Sequence, residues 1–256
     1  MNEEEEKRLS NTLAELAKCE QAMGDAEKDV EIYRIKKTQN IYAQRREITK
    51  AVPKFWYIVL AENDSFGEYI RVEDFKYLEC ITDIYVHYDV AEDSDEARYR
   101  DFSISFTFSD ESGLVPSQVV TKKFKVDVVD GEEDLTSEPV DVQWPEELLD
   151  ICPSKVKEQK KGETFSASEK KRYRQGMKTL FAWFDWTGKR PAKEFKGGDE
   201  LTRLIVEDLF PNSVKYYVEA INNDQESEVS SSEGEELDVS DDEEQEDEPQ
   251  KKKQKV

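Results

Sequence analysis

The N-terminal run from about Asn2 to Lys50 is too long and too one-sided to fold up inside a small domain. Its apolar residues recur at spacings of three and four, the pattern of one apolar stripe on a helix. The stripe consists of Leu9, Leu13, Leu16, Cys19, Met23, Ala26, Val30 and Tyr33, and Ile41 follows further along. No proline occurs before Pro53. The run therefore predicts one helix of about 48 residues, roughly 70 Å long.

A helix of this length cannot bury its stripe alone, because most helical stability comes from packing. Packing on the chain's own domain is the ordinary solution for a short helix. For this one, a coiled-coil-like homodimer formed through the nine stripe residues is the simplest solution. Polar residues interrupt the heptads at Glu20, Glu27, Arg34 and Lys37. They predict a bend or a locally unwound turn in the middle of the helix.

The second constraint is charge. The chain of 256 residues has a net charge of −23, and residues 224–248 carry 14 acids and no base. With only 36% hydrophobic residues, part of the chain must be solvated, and we expect residues 223–256 to be a disordered acidic tail. The acidity of the remainder predicts a strongly basic partner and argues against direct, specific DNA binding, which needs a basic footprint.

Three scattered cysteines, Cys19, Cys80 and Cys152, fit a reducing compartment better than a disulfide framework. The N-terminus has no signal-peptide pattern. The longest apolar run, Phe55 to Ala61, is too short to span a bilayer. These features predict a soluble intracellular protein without a membrane partner.

The middle of the chain changes to a period of two from Ile81 onward. Alternation predicts strands near residues 81–90, 103–108 and 120–128, and Pro139 to Trp144 is expected to form a fourth, edge strand. Short turns between consecutive strands indicate an antiparallel meander with one packed face and one wet face. Within the third strand, Lys122 is the exception on an otherwise apolar face.

Helices are expected to cover the packed face. Two short helices follow Pro53, and residues 153–164 read as a mobile lysine-rich loop. Ser166 and Glu169 form a capping-box pattern for a helix that continues through the aromatic residues 181–184. Gly197 precedes another helix, which Pro211 is expected to break. The predicted fold is α+β: a long helix in residues 1–52, a lobe in residues 53–222 and the tail.

No catalytic constellation is present in the sequence. His87 is the only histidine, which excludes His-pair metal sites, and no GxxxxGK phosphate loop occurs. Carboxylates are so numerous that no pair stands out as an acid and a base. We therefore expect a protein that is not an enzyme and that needs no metal or cofactor.

Five stretches of the chain resemble the nucleosome-assembly-protein and SET family of histone chaperones. They are YIRVEDFKYLECITDIYVHYD, RDFSISFTF, LTSEPVDVQWP, FAWFDW and GDELTRLIVEDLFPNSVKYYVEA. The short tail and the absence of accessory insertions favour the SET-type branch. The resemblance implies a long dimerisation helix and earmuff-like α+β lobes. It also implies binding of core histones (the H3–H4 pair and the pair of histones 2A and 2B), a role in nucleosome assembly, and a histone H3 acetyltransferase as partner.

The same resemblance places histone-contacting acids around the helix LTRLIVEDLFPN. Glu207 and Asp208 would lie at the end of that helix, where the C-terminal half-charge does not stabilise them. Nearby candidates are Glu194, Asp199 and Glu200. The tail adds Glu235, Glu236, Asp241, Asp242, Glu243 and Glu244.

The basic cluster Lys251, Lys252, Lys253 and Lys255 matches a short nuclear import signal and predicts nuclear localisation. The tail itself is read either as a solubilising segment or as a polyanion that covers the DNA-binding surface of histones. A different class of function stays open, an acidic scaffold or inhibitor of an enzyme such as a phosphatase. A scrambled tail of equal composition separates the two, because a chaperone should tolerate scrambling and a specific inhibitor should not.

Overall fold

The computed structural model describes residues 2–92, 96–109, 113–129, 131–160, 164–190 and 192–232. Helix α1 spans Glu3–Thr49, so the predicted long helix is confirmed. It begins at a capping box in which Asn2 Oδ1 accepts from the Glu5 amide and Glu5 Oε2 accepts from the Asn2 amide, both at 2.9 Å. The helix is α-helical from end to end. Of the expected bend or locally unwound turn at its centre, the unwound turn is therefore wrong, and the bend stays a prediction.

Only the C-terminal part of α1 packs against the rest of the chain. Residues 2–27 are exposed throughout, whereas Ile32, Ile35 and Gln39 are buried. The two isoleucines form a small core with Val90. The Gln39 amide donates to Tyr85 Oη at 2.7 Å and to the Val86 carbonyl at 3.1 Å.

Two arginines near the end of α1 fix its orientation. Arg45 donates to the carbonyls of Phe210 and Pro211 at 2.6 and 2.9 Å, and its guanidinium lies 4.6 Å from the centre of the Phe210 ring. Arg46 pairs with the buried Asp83 at 2.6 Å and covers the Tyr85 ring. Because both contacts are partly buried and have several donors, they hold α1 more firmly than surface ion pairs would.

The sheet contains four antiparallel strands in the order β1-β2-β3-β4. They are β1 (Ile81–Tyr88), β2 (Phe102–Phe108), β3 (Gln118–Val129) and β4 (Glu132–Ser137). The predicted meander is confirmed, but the predicted fourth strand at 139–144 is wrong. Gly131, with a φ of 85°, leads directly into β4, and the Val140 amide donates to Phe184 outside the sheet.

Short helices surround the sheet. They are α2 (Phe55–Ala61), α3 (Asp64–Gly67), α4 (Phe75–Leu78), α5 (Glu146–Leu149), α6 (Pro153–Lys160) and α7 (Ala167–Gly176), with 3₁₀ turns at Val72–Asp74, Asp89–Ala91, Glu96–Arg98 and Leu180–Asp185. The lysine-rich segment 153–160 is therefore a helix and not a loop. Its next residues, 161–163, lie outside the described part.

The capping box of Ser166 and Glu169 is confirmed, but α7 ends at Gly176 and does not continue into the aromatic segment. A Cβ at Gly176 would lie 1.7 Å from the Ile151 carbonyl oxygen, so a close backbone approach requires glycine here. The 3₁₀ turn that follows places Phe181, Trp183 and Phe184 in the core against the sheet.

The last helical region is continuous through Pro211. Helix α8 (Gly198–Arg203) leads into a π-helical segment (Leu204–Leu209) and then into α9 (Phe210–Ser232). The expected break at Pro211 is wrong. In the wider π turn the Phe210 amide bonds to the Ile205 carbonyl, and such turns accommodate a residue without an N–H. Helix α9 also extends into the segment expected to be disordered; residues 233–256 lie outside the described part.

Lys122 is fully buried on β3. Its ammonium donates to three backbone carbonyls, those of Glu138, Phe184 and Trp186, at 2.8, 3.0 and 2.7 Å. Burial lowers the pKa of Lys122 to about 8, although nearby carboxylates act in the opposite direction. The apparent polar exception on the apolar face therefore joins the sheet to the loop that follows β4 and to the aromatic 3₁₀ turn.

We predict that Lys122→Met destabilises the protein by about 1.5–3 kcal/mol, because it removes a charged donor from three carbonyls. The carbonyls of Phe184 and Trp186 keep one donor each, the Val140 amide and the Ser137 hydroxyl. The matched control is Lys123→Met, whose side chain is exposed on the same strand. Urea unfolding of both variants measures the difference. Equal stabilities would contradict a structural role of the Lys122 ammonium.

Candidate functional site

An open groove of about 550 Å³ lies between β4 and the start of α8. Strand β4 contributes Glu133 and Asp134, and the first turn of α8 contributes Asp199 and Glu200. Gly197 has a φ of 74°, and this left-handed residue turns the chain into the helix. Two acidic segments far apart in the sequence thereby form one surface, which we call the acidic groove.

Among the described residues, five acids line the groove, and the four on β4 and α8 differ in how strongly they are bound. Glu133 and Asp199 both pair with Arg203, at 3.0 and 3.1 Å. Asp134 and Glu200 are exposed and form no ion pair within the described residues. Their charges are consequently available to a cation from outside, and the predicted candidates Asp199 and Glu200 belong to the same surface.

Arg203 also connects the acidic groove to the π-helical segment. Besides Glu133 and Asp199, it contacts Glu207 at 3.4 Å. Arg100 pairs with the same Glu133 at 3.2 Å and reaches Glu31 of α1 at 3.7 Å. All of these residues except Asp199 line a smaller cleft of about 230 Å³ between α1, the sheet and the π-helical segment.

Glu207 and Asp208 lie in the middle of a continuous helical region, so the argument from an unfavourable helix end is wrong for both. The Glu207 side chain is 63% exposed and borders the small cleft. Asp208 instead accepts hydrogen bonds from Asn212 and Tyr216, each at 2.8 Å. Of the two, Glu207 presents the more accessible charge.

Glu194 lines the acidic groove but is only 5% exposed. Its carboxylate accepts from the amides of Thr187 and Gly188, from the Thr187 hydroxyl, and from Arg190. Burial alone would raise the pKa of Glu194, but these hydrogen bonds outweigh it and the pKa lies below its usual value. Glu194 therefore holds the loop before α8 in place, and we leave it out of the binding surface proposed below.

The nine apolar residues predicted for dimerisation are all exposed on α1. Among the larger ones, the exposed fraction ranges from 47% at Leu9 to 68% at Val30. By contrast, Ile32 and Ile35 are buried, because they face the lobe of the same chain. The stripe is thus a separate face from the one that packs internally.

Sequence reasoning missed Glu133 and Asp134. They belong to the acidic triplet that begins at Glu132, directly after Gly131, and this triplet was the signal that could have found them. The tail acids from Glu235 to Glu244 and the lysines from Lys251 to Lys255 lie outside the described residues.

The described residues contain no group of three or more His, Cys, Asp or Glu side chains arranged to hold a metal ion. His87 is half-buried on β1; Cys19 is exposed, Cys80 is buried and Cys152 is partly buried. Over the described ranges, no helix combines the length and apolar character needed to cross a bilayer.

We predict that Glu194→Gln lowers stability at neutral pH and that the difference from the wild type disappears in acid. A carboxyl whose pKa is lower in the folded chain stabilises it above the unfolded value, which is 4.5, and this contribution is lost as pH falls through the folded pKa. Thermal unfolding between pH 7 and pH 3 measures it. The exposed Glu200→Gln is the control, and an equal pH response of the two variants would contradict the assignment.

Comparisons with known proteins support the same fold. The family model described as nucleosome assembly protein (NAP) matches residues 3–220. Vacuolar protein sorting-associated protein 75 of Saccharomyces cerevisiae is 40% identical over 244 residues, 94% of this chain and 90% of that protein. Protein SET of Drosophila melanogaster is 26% identical over 183 residues, 69% of this chain and 59% of that protein.

Solved structures agree. The crystal structure of the Vps75 histone chaperone matches with a TM-score of 0.73 and 41% identity, covering 83% of this chain and 99% of that one. The crystal structure of Ccp1 matches with a TM-score of 0.59 and 30% identity, covering 83% and 97%. The family model spans the long helix, the sheet and the acidic groove, and the chain therefore belongs to the nucleosome assembly protein family.

Proposed function

We propose that this chain is a non-enzymatic histone chaperone that assists nucleosome assembly. The observation that carries the proposal is the acidic groove, in which Asp134 and Glu200 are exposed carboxylates without an ion pair among the described residues. Family membership supports it, and a solved relative at 41% identity is named a histone chaperone. The proposed cargo is core histones, both the H3–H4 pair and the pair of histones 2A and 2B.

The proposed mechanism is electrostatic shielding. Exposed acids of the groove, together with Glu207, screen the lysines and arginines by which histones bind DNA. The tail acids, including Glu235, Glu236 and Asp241 to Glu244, extend the shield. DNA has a higher charge density than the acidic surface of the chaperone. It therefore displaces the chaperone from the DNA-binding surface of the histones. No cofactor takes part, and no sequence-specific DNA binding is proposed.

We predict that Asp134→Asn with Glu200→Gln weakens histone binding by about two- to thirtyfold, because exposed charge pairs contribute roughly 0.2–1 kcal/mol each and the variant removes two charges. The matched control is Glu62→Gln with Glu146→Gln, two exposed acids outside the groove. Fluorescence titration with H3–H4 and, separately, with the pair of histones 2A and 2B measures the affinities. Binding should also weaken steeply with salt.

Two results would contradict the proposal. One is an affinity that stays the same between low and high salt. The other is an equal loss in the groove variant and its control, which would assign binding to charge spread over the whole surface.

We further propose that α1 forms a homodimer through its exposed stripe. An apolar face of this length is normally covered by a partner, and pairing two copies would hold two acidic lobes at a defined separation. In this division, residues 1–52 pair, residues 53–222 form the histone-binding lobe and residues 223–256 form the tail.

We predict that Leu13→Glu with Leu16→Glu converts a dimer into a monomer, because charges placed in an apolar helix seam lose their solvation. Lys7→Glu with Lys18→Glu is the control, since helical spacing puts both residues opposite Leu16. Sedimentation velocity measures the mass of each. A wild-type chain that sediments as a monomer would refute pairing.

We propose a nuclear location, with Lys251, Lys252, Lys253 and Lys255 as the import signal. We also propose a histone H3 acetyltransferase as partner, contacted by the lysine-rich segment Lys155 to Lys161. Lys155 of this segment lies near Asp141 and Glu158, at 3.7 and 3.6 Å. Stimulation of H3 acetylation that survives Lys155→Glu with Lys157→Glu would exclude this contact.

The import signal has its own test. Nuclear import that is unchanged after Lys251, Lys252, Lys253 and Lys255 are replaced by glutamine would exclude it.

A further inference from the structure

One segment of the chain has a strongly positive net charge, although the net charge of the whole chain is negative. Residues 155–178 contain nine lysines and arginines against three acids, a net charge of +6 in a chain of −23. Helices α6 and α7 lie in this segment and pack against each other. Nothing in histone shielding requires such a surface, because histones are themselves basic.

The cations of α7 meet Arg71 in an open cleft of about 540 Å³. We call this surface the positive face and define it by five residues. They are Arg71, Lys170, Lys171, Arg174 and Lys178. The other two described residues that line the cleft are Ala167 and Gln175, so no acid of the described part lines it.

Four of these five cations have no ion-pair partner among the described residues. Lys170, Lys171, Arg174 and Lys178 are exposed, and none forms an ion pair in the described part of the chain. Arg71 is the exception, with a bond of 3.0 Å to Glu73. Like charges at neighbouring helical positions repel one another. Although the chain has 60 acidic residues, this cluster of positive charge is not neutralised within the described residues. The unneutralised charge indicates that the cluster binds an anion from outside the chain.

We propose that the positive face binds the phosphate backbone of duplex DNA without reading its sequence. Lys170 and Arg174 are four residues apart on one helix, a rise of about 6 Å. Each step of a DNA strand rises about 3.4 Å and also turns about the axis, so neighbouring phosphates lie roughly 6–7 Å apart and both cations can reach phosphates of the same strand. Arginine and lysine are the side chains that bind phosphate most strongly.

An acidic protein partner fits the same face less well. Protein interfaces depend on a few buried apolar or aromatic anchors. Among the described residues that line this cleft, Ala167 is the only apolar one, and it offers one methyl group. Phosphate contacts need no such anchor, because they bind through charge and hydrogen bonds alone.

The expected consequence is that the lobe of this chaperone can lie near DNA, although the net negative charge of the whole chain repels DNA. Whole-molecule charge sets long-range repulsion, but within a Debye length of about 8 Å the local charge dominates at physiological salt. The positive face would then hold DNA weakly beside the histone cargo. This inference goes beyond histone shielding and does not depend on it.

The test measures binding of a fluorescent 20-base-pair duplex to the full chain by anisotropy at several low salt concentrations. Five phosphate contacts predict a slope of log affinity against log salt of roughly −4 to −5. Lys170→Glu with Lys171→Glu and Arg174→Glu should lower the affinity at least tenfold. Lys7→Glu with Lys123→Glu and Lys125→Glu, three exposed lysines elsewhere, should leave at least half of the affinity.

Two further measurements keep the outcome decisive. The milder variant with glutamine at positions 170, 171 and 174 tests the face if the reversed one fails to fold, and histone binding by each variant should match the wild type. Equal DNA affinity in the face variant and its control would overturn the proposal. It would equally be overturned if a glutamate-rich peptide bound the face while duplex DNA did not.

Discussion

The attachment of α1 to the lobe through its last three turns is the constraint on which the rest of the structure depends. Gln39 and Arg46 both reach the edge strand β1, at the Val86 carbonyl and at the buried Asp83, and Arg45 reaches the backbone of α9. Because these bonds fix the rotation of α1 about its own axis, they also fix the direction in which the exposed stripe points. A helix tethered only by its apolar residues would be free to rotate and could not present one face.

The same attachment explains the tolerance of Pro211. A proline inside a helix removes one hydrogen bond and normally kinks it. Here the wider turn of the π-helical segment accommodates a residue that has no N–H to donate. In addition, Arg45 donates to the carbonyls of Phe210 and Pro211. The π turn also places Glu207 near Arg203 and the small cleft. The π-helical segment, its contact with Arg45 of α1 and the exposed Glu207 therefore belong to one structural arrangement.

Sequence patterns predicted the elements whose periodicity is strong and missed those set by tertiary contacts. Helix α1 and strands β1 to β3 follow clear apolar periods, so their prediction succeeded. Strand β4 carries EEDLTS, in which only Leu135 and Ser137 are buried, and no alternation of apolar residues marks it. Its pairing with β3 follows from the turn at Gly131, while the more apolar stretch 139–144 supplies core side chains as a loop.

The candidate site shows the same division. Asp199 and Glu200 could be found because they begin a predicted helix near a resembling motif, but Glu133 and Asp134 join them only through the fold. Sequence also cannot distinguish a free carboxylate from one that holds a loop: Glu194 and Glu200 are six residues apart, yet the first is buried among donors and the second is exposed.

Total charge is accordingly a poor guide to what such a surface binds. The lobe separates an acidic groove at β4 and α8 from a positive face at α7, although the sum over the chain is strongly negative. Coulomb interactions between exposed groups fade within about 8 Å in physiological salt, so a ligand responds to the patch it touches. A chaperone that must pass a cation to a polyanion benefits from two patches of opposite sign, because a uniformly acidic surface would hold histones but repel the DNA that receives them.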